Sequence, residues 1–247
     1  MLLPAAKLYP VISSVEKKGS FQELEKIYGQ IPETTCEQCA TCCTVPPPGY
    51  FIEYLNLYRF LKDNLKEERA DILKKMVEYY FLELVDINTR CPFLSDENKC
   101  LVYPVRTLSC RAYGLLNKKG GEKDDNGAME RLAKEYSDRH GIELPREIVE
   151  FRLPAGCEKL RITGGARPQK GHIERLITDV VKLETEILPV EFVEQEQSLM
   201  PFATYLATTV LGEGARARRV RVMKEYLEKG SSELLEEYKE KASKFEF

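Results

Sequence analysis

Cys36-Glu-Gln-Cys39-Ala-Thr-Cys42-Cys43 puts four cysteines into eight consecutive residues. This run constrains the chain more than any periodicity in it, because thiols set so close are bridged, metallated or left reactive. Cys91, Cys100, Cys110 and Cys157 follow, and none lies beyond 157 in a chain of 247 residues. Such density ends in disulfides mainly in short secreted chains that lack a core. Here 43% of the residues are hydrophobic, which is enough to build one. The segment from Met1 to Ile12 contains Lys7, Pro4 and Pro10 and lacks the pattern of a secretory leader. We therefore expect a cytoplasmic protein whose reducing surroundings leave the thiols free for metal.

The charge balance points away from two partner classes. Lys and Arg number 37 against 40 Asp and Glu, a formal charge of -3. That supplies no general attraction to nucleic acid or to an acidic membrane. No stretch approaches the ~18 apolar residues of a membrane span. The remaining partner class is a protein, as binding partner or substrate.

Patterning predicts a mainly α fold. Its centre is an irregular, cysteine-rich metal-binding core with short β-strands, followed by a helical C-terminal part. Ser20-Phe-Gln-Glu23 reads as a capping box opening a helix to about residue 28. Pro46-Pro47-Pro48-Gly49 ends the cysteine run, and an aromatic-rich helix starts near Tyr50. Ile72, Leu73, Met76, Val77, Tyr80, Phe81 and Leu84 repeat at helical spacing and mark a core-facing stripe. Cys100–Tyr103 and Arg111–Leu115 read as short strands, and 117–127 as an exposed loop. Further helices are expected over about 128–140, after Pro145, and over 172–188, 201–229 with a break near Gly212–Gly214, and 231–244. The division is an N-terminal helical segment, 1–30, a cysteine-cluster domain, 31–162, and a helical region, 172–247.

The spacing selects the metal. Thiolate is a soft ligand that suits zinc and iron–sulfur clusters and not magnesium or calcium. Cys-x-x-Cys turns two sulfurs toward one centre from a single tight loop. Cys42 and Cys43 are adjacent, so their side chains diverge and are hard to place on one metal. Cys36-x-x-Cys39-x-x-Cys42 with a distant Cys91-Pro92 has the ferredoxin spacing. One division places Cys36, Cys39, Cys42 and Cys91 around a [4Fe–4S] cluster, leaving Cys43, Cys100, Cys110 and Cys157 for a second metal. One bridged binuclear cluster is the alternative. Four thiolates leave about two negative charges on either centre by ligand counting. Arg90, Arg106 and Arg111 neighbour Cys91 and Cys110 in sequence. Of these we expect Arg106 and Arg111 to donate toward sulfur or nearby carbonyls and so help bind the cofactor.

These residues resemble the CxxCxxCC family of zinc- or iron-chelating proteins, the YkgJ-like cysteine-cluster proteins. The resemblance rests on the quartet, on Cys91-Pro92-Phe93-Leu94, and on Cys100-Leu-Val-Tyr103-Pro-Val-Arg106-Thr-Leu-Ser-Cys110-Arg111. It covers roughly residues 36 to 113. The family often has Gly where this chain has Ala40, and Arg-Pro where it has Arg106-Thr107. Neither departure removes a ligand. The resemblance implies metal chelation. A related branch includes flagellin lysine methylases that use an iron–sulfur cluster, but no separate cofactor motif in this chain carries that activity over.

Other candidates are weaker. His140 ends a helix and His172 opens one, and eight cysteines already supply two sites. Asp124-Asp125-Asn126 lacks the spacing of a calcium loop. Arg216, Arg218, Arg219 and Arg221 read as a solvated helix face balanced by Glu233, Glu236, Glu237 and Glu240. The functional expectation is a protein that coordinates an iron–sulfur cluster, zinc or both, for electron or methyl-group transfer. The alternative is a non-enzymatic, zinc-stabilised interaction module. The sequence names no catalytic acid, base or nucleophile.

Overall fold

The computed structural model describes residues 5–115, 126–154, 156–157, 159–188, 199–212 and 214–247. Helices dominate. In chain order they are α1 (Ala5–Lys17), α2 (Ser20–Tyr28), α3 (Phe51–Asn64), α4 (Arg69–Leu82), α5 (Leu108–Ala112), α6 (Asn126–His140), α7 (Arg146–Val149), α8 (Lys170–Thr185), α9 (Phe202–Leu211), α10 (Gly214–Lys229) and α11 (Glu233–Ser243). The strands are short: β1 (Thr34–Thr35), β2 (Pro48–Tyr50), β3 (Arg161–Ile162) and β4 (Leu199–Pro201). The expected mainly α fold with small strands around the cysteines is what forms. Most of the expected 117–127 loop lies outside the described residues.

The apolar stripe builds the centre. Ile72, Leu73, Met76, Val77, Tyr80 and Phe81 of α4 are all buried. α11 lies along this helix, with Phe81 and Tyr238 stacked at 5.1 Å. α3 packs its aromatic face on α9, where the Tyr54 and Tyr205 rings stack at 4.7 Å and 12°. Buried residues of the N-terminal helices, the cysteine segment and the C-terminal helices join in one continuous cluster. A fully buried aromatic removes most of its surface from water, worth ~2 kcal/mol or more per side chain.

Two small sheets do work that their size conceals. In the first, β1 pairs antiparallel with β3, Thr34 opposite Ile162 and Thr35 opposite Arg161. The chain just before Cys36 is thereby fixed beside the chain just after Cys157. In the second, β2 pairs with β4, Gly49 opposite Met200, which brings the start of α9 against the cysteine segment. A Cβ on Gly49 would sit 2.5 Å from both Phe202 and Thr107, so this approach requires glycine.

Three local expectations are corrected. Ser20 is the first residue of α2 and is buried, and the cap position belongs to Gly19 at φ +75°. The turn out of α1 is too tight for a serine cap, and Glu23 pairs with Lys26 instead. The expected strands at 100–103 and 111–115 do not form. Pro104 sits in the 3-10 turn Tyr103–Val105, and α5 follows. The Thr107 side chain accepts the N–H of Cys110 at 3.0 Å and starts that helix. The basic face of α10 is not wholly solvated. Arg219 pairs with Glu83, the residue that caps α4, at 2.7 Å, largely shielded from water. Arg221 pairs with Glu225 and faces Glu237 and Glu233 of the acidic tail.

Candidate metal centre

All eight cysteines are free thiols, and all eight line one cavity of about 1040 Å³. They come from four places. The quartet loop between β1 and β2 supplies Cys36, Cys39, Cys42 and Cys43. The segment after α4 supplies Cys91 and Cys100, α5 supplies Cys110, and the chain before β3 supplies Cys157. Cys36 and Cys39 are exposed, and the other six are half-buried.

Each placement has a local cause. The quartet loop turns through Gln38 (φ 55°) and Ala40 (φ 56°), both left-handed, before the 3-10 turn Thr41–Cys43. Ala40 is the position where the resembled family often has glycine, and its backbone explains that preference. The Cys91 N–H donates to the Cys43 carbonyl at 2.8 Å and ties Cys91-Pro92 to the quartet. Phe93–Leu101 folds back as a hairpin, with the Leu101 N–H on the Phe93 carbonyl at 2.9 Å. Gly114, at φ +81°, lets Cys157 close in. A Cβ there would lie 2.7 Å from the Cys157 Cβ.

The thiols sense one another's charge. Burial pushes the Cys110 thiol up to about 12, with Cys100 and Cys42 adding to the shift and Arg106 opposing it. Burial also raises Cys91 and Cys100. Cys43 is raised chiefly by its hydrogen bond to Cys42, and Cys42 is lowered by the same bond. Cys39 is lowered by a hydrogen bond to the Thr41 side chain. A soft cation reverses the cost of charging these sulfurs and releases their protons on binding.

Arg106 lines the cavity, its guanidinium 3.6 Å from the centre of the Tyr103 ring. Its Nε is buried and has no hydrogen-bond partner. Arg111 stands behind it. It donates from Nε to the Arg106 carbonyl at 3.0 Å and also to the Pro104 carbonyl, while its guanidinium covers the Tyr28 ring at 4.2 Å. Arg90 is exposed and bonds the nearby carbonyls of Ile87 and Thr89. His140 packs against Tyr136, and the His172 ring meets the Gln30 carbonyl at 3.1 Å, so neither residue faces the cavity.

One buried acid gave no motif in the sequence. The Glu53 carboxylate accepts from Tyr28 Oη at 2.7 Å, from the Leu108 N–H at 2.6 Å and from the Tyr50 N–H at 2.9 Å. It therefore fixes the start of the helix that carries Cys110. Its only signal was a lone charge in an aromatic-rich helix.

The donor set fits a thiophilic metal: eight sulfurs, and a cationic side chain with an unmet donor at the wall. The sulfurs ring the cavity and do not yet meet at a point. Among the described residues, no three His, Cys, Asp or Glu side chains converge tightly enough to hold one ion. Four-fold coordination of one ion would require the exposed Cys36–Cys39 end of the loop to move inward. No helix among the described residues is long and apolar enough to cross a membrane. Residues 35–131 match the CxxCxxCC family model, "Putative zinc- or iron-chelating domain". No curated protein and no solved structure matches the chain.

Proposed function

We propose, on the match of residues 35–131 to the CxxCxxCC family model, that the chain holds an iron–sulfur cluster in its cysteine cavity. The observation that carries the proposal is that all eight free thiols, from four separated stretches, line one cavity. Cys36, Cys39, Cys42 and Cys91 would hold the cluster. The Cys91–Cys43 backbone bond supports that set, because it fastens the distant Cys-Pro to the quartet. Arg106 offsets the negative charge of the thiolates, and Arg111 holds Arg106 in place through its carbonyl. A bound cluster supplies one-electron chemistry at a potential tuned by such charges and hydrogen bonds.

The second reading is zinc as a purely structural ion, with the helical C-terminal part meeting a protein partner. It is favoured by the exposed quartet loop, which would gain most of its order from the ion. Anaerobic purification followed by iron, zinc and acid-labile sulfide analysis separates the two. Iron and sulfide together support the cluster. Zinc without sulfide overturns it and leaves the structural ion. A second ion on Cys43, Cys100, Cys110 and Cys157 would show as metal in excess of one centre per chain.

A further inference from the structure

The thiols of the cavity are not equally placed. Cys36 and Cys39 lie open to solvent at its edge, whereas Cys42 and Cys91 are half-buried in its wall. The quartet loop is fastened on either side of the exposed pair. Before it, β1 pairs with β3, the Thr163 N–H donates to the Glu33 carbonyl at 2.9 Å, and Tyr103 Oη donates to the Thr34 carbonyl at 3.3 Å. After it, the Cys91 N–H holds the Cys43 carbonyl at 2.8 Å. Between these ties the chain passes through Gln38 and Ala40, both left-handed. Glu37 reaches Arg161 of β3 at 3.9 Å, an exposed ion pair of the kind that adds little. Left-handed backbone is costly for a residue with a Cβ, so this stretch yields before its ends do.

We propose that the exposed Cys36–Cys39 pair is the exchange end of the centre, through which this chain passes its thiophilic metal to or from a protein that presents a second Cys-x-x-Cys pair. The inference rests on the metal-binding reading above and gives that site a further function, metal transfer. Cys42 and Cys91 keep hold of the metal, fixed relative to each other through the Cys43 carbonyl. The Cys36–Cys39 end swings out to the position it has here, and two thiols of the partner take the places it leaves. Four sulfurs thus stay on the metal throughout, two from each protein. In each exchange one metal–sulfur bond forms as one breaks. The incoming thiol gives up its proton, and the leaving thiolate takes one up. Metal and sulfur keep their oxidation states, so no oxidant or reductant is required. A soft metal selects thiolate over carboxylate or water as the incoming ligand. The second thiol of a linked pair arrives at high effective concentration, which favours a dithiol over a single thiol.

The test uses the full chain, kept anaerobic and loaded with zinc or reconstituted with iron and sulfide, whichever it retains. A short peptide with one Cys-x-x-Cys pair is the acceptor, and glutathione at equal thiol concentration is the comparison. Metal is counted on chain and acceptor as the reaction runs. Brief pulses of N-ethylmaleimide, read by peptide mass spectrometry, report which cysteines have come free, each rate divided by that in the metal-free chain. The expected result is transfer at a rate proportional to peptide concentration. Cys36 and Cys39 are labelled at least tenfold faster than Cys42 and Cys91 while the metal is still on the chain, and glutathione acts at least tenfold more slowly than the peptide. If glutathione keeps pace, the partner is a small thiol and the protein assignment falls. A rate independent of acceptor concentration means that the metal leaves unaided, and labelling of all four cysteines in step means that no end opens first. Either result overturns the proposal, while the metal counted on the chain leaves the centre itself standing. A chain that takes up neither zinc nor iron with sulfide overturns the metal reading, and this proposal with it.

Discussion

Oε1 of Glu53 accepts the backbone N–H of Leu108 at 2.6 Å, across 55 residues of chain. The same oxygen accepts from Tyr28 Oη, and Oε2 accepts the N–H of Tyr50 that opens α3. One buried carboxylate thus joins α2, α3 and the helix of Cys110. Glu53→Ala leaves three buried donors without an acceptor, at ~1–3 kcal/mol for each one that finds no water. The expected loss is about 3 kcal/mol or more by urea unfolding. A loss below about 1 kcal/mol would show that the donors find other partners.

The same group sets a pH dependence. Burial raises the Glu53 carboxyl above its ordinary range, opposed by its three donors and by Arg111. A folded value above the unfolded one means that the folded state binds the proton more tightly. The stability this contributes is full below the unfolded value, ~4.3, and is lost as pH rises through the folded value. Relative to Glu53→Gln, the wild type therefore loses stability as pH rises from the unfolded value, ~4.3, through the raised folded value. Denaturant midpoints for both proteins across that range check the sign. A difference that stays flat or reverses would sink this account of the site.

Gly114 decides how near Cys157 stands to the other thiols. Its φ of +81° is costly for any L residue, and the added Cβ would lie 2.7 Å from the Cys157 Cβ and 3.0 Å from its nitrogen. Gly114→Ala should cost ~1–3 kcal/mol and displace Cys157 from the cavity wall. Metal per chain, measured beside that of Cys157→Ser, separates the two effects. If Cys157 is a ligand, both variants lose metal to the same extent. Full metal in both removes Cys157 from the ligand set and leaves Gly114 a purely steric role.

Ala40 predicts a gain. A left-handed non-glycine residue costs ~1–2 kcal/mol, and the flexibility of glycine returns ~0.5–1 of that. Ala40→Gly should therefore raise stability by up to about 1 kcal/mol and leave metal content unchanged. A lower unfolding midpoint in the variant would mean that the loop leaves this conformation in solution.

The contrast between these residues shows what was readable in the chain. The α4 stripe and the cysteine run are repeated local patterns, and both placed their residues where the structure has them. Strands β1 and β3 have two residues each and no pattern of their own, so the pairing that brings Cys157 toward the quartet left no trace in the sequence. Glu53 is one charge whose role depends on Leu108 and Tyr28, far off in the chain. Thr107 was not read as a helix cap. The density of Cys, Pro and aromatics around it suggested strands, and the hydroxyl bond to the Cys110 N–H prevailed. The gathering of the eight thiols thus depends on contacts between distant segments.

Arg106 offers the sharpest test of the centre's electrostatics. It stacks on Tyr103 at 3.6 Å, its Nε is buried without a partner, and its charge opposes the raised values of Cys110 and Cys100. Lysine keeps the charge but loses the planar stack and the Nε donor. Loss of an outer partner of this kind typically costs ~10–100-fold in metal affinity. Arg106→Lys should therefore weaken zinc by about tenfold in competition with a chromophoric chelator, and Arg106→Gln by more, toward ~100-fold. Circular dichroism and unfolding midpoints of the metal-free proteins control for folding. Wild-type zinc affinity in Arg106→Gln, with the fold intact, would show that its charge does not reach the sulfurs.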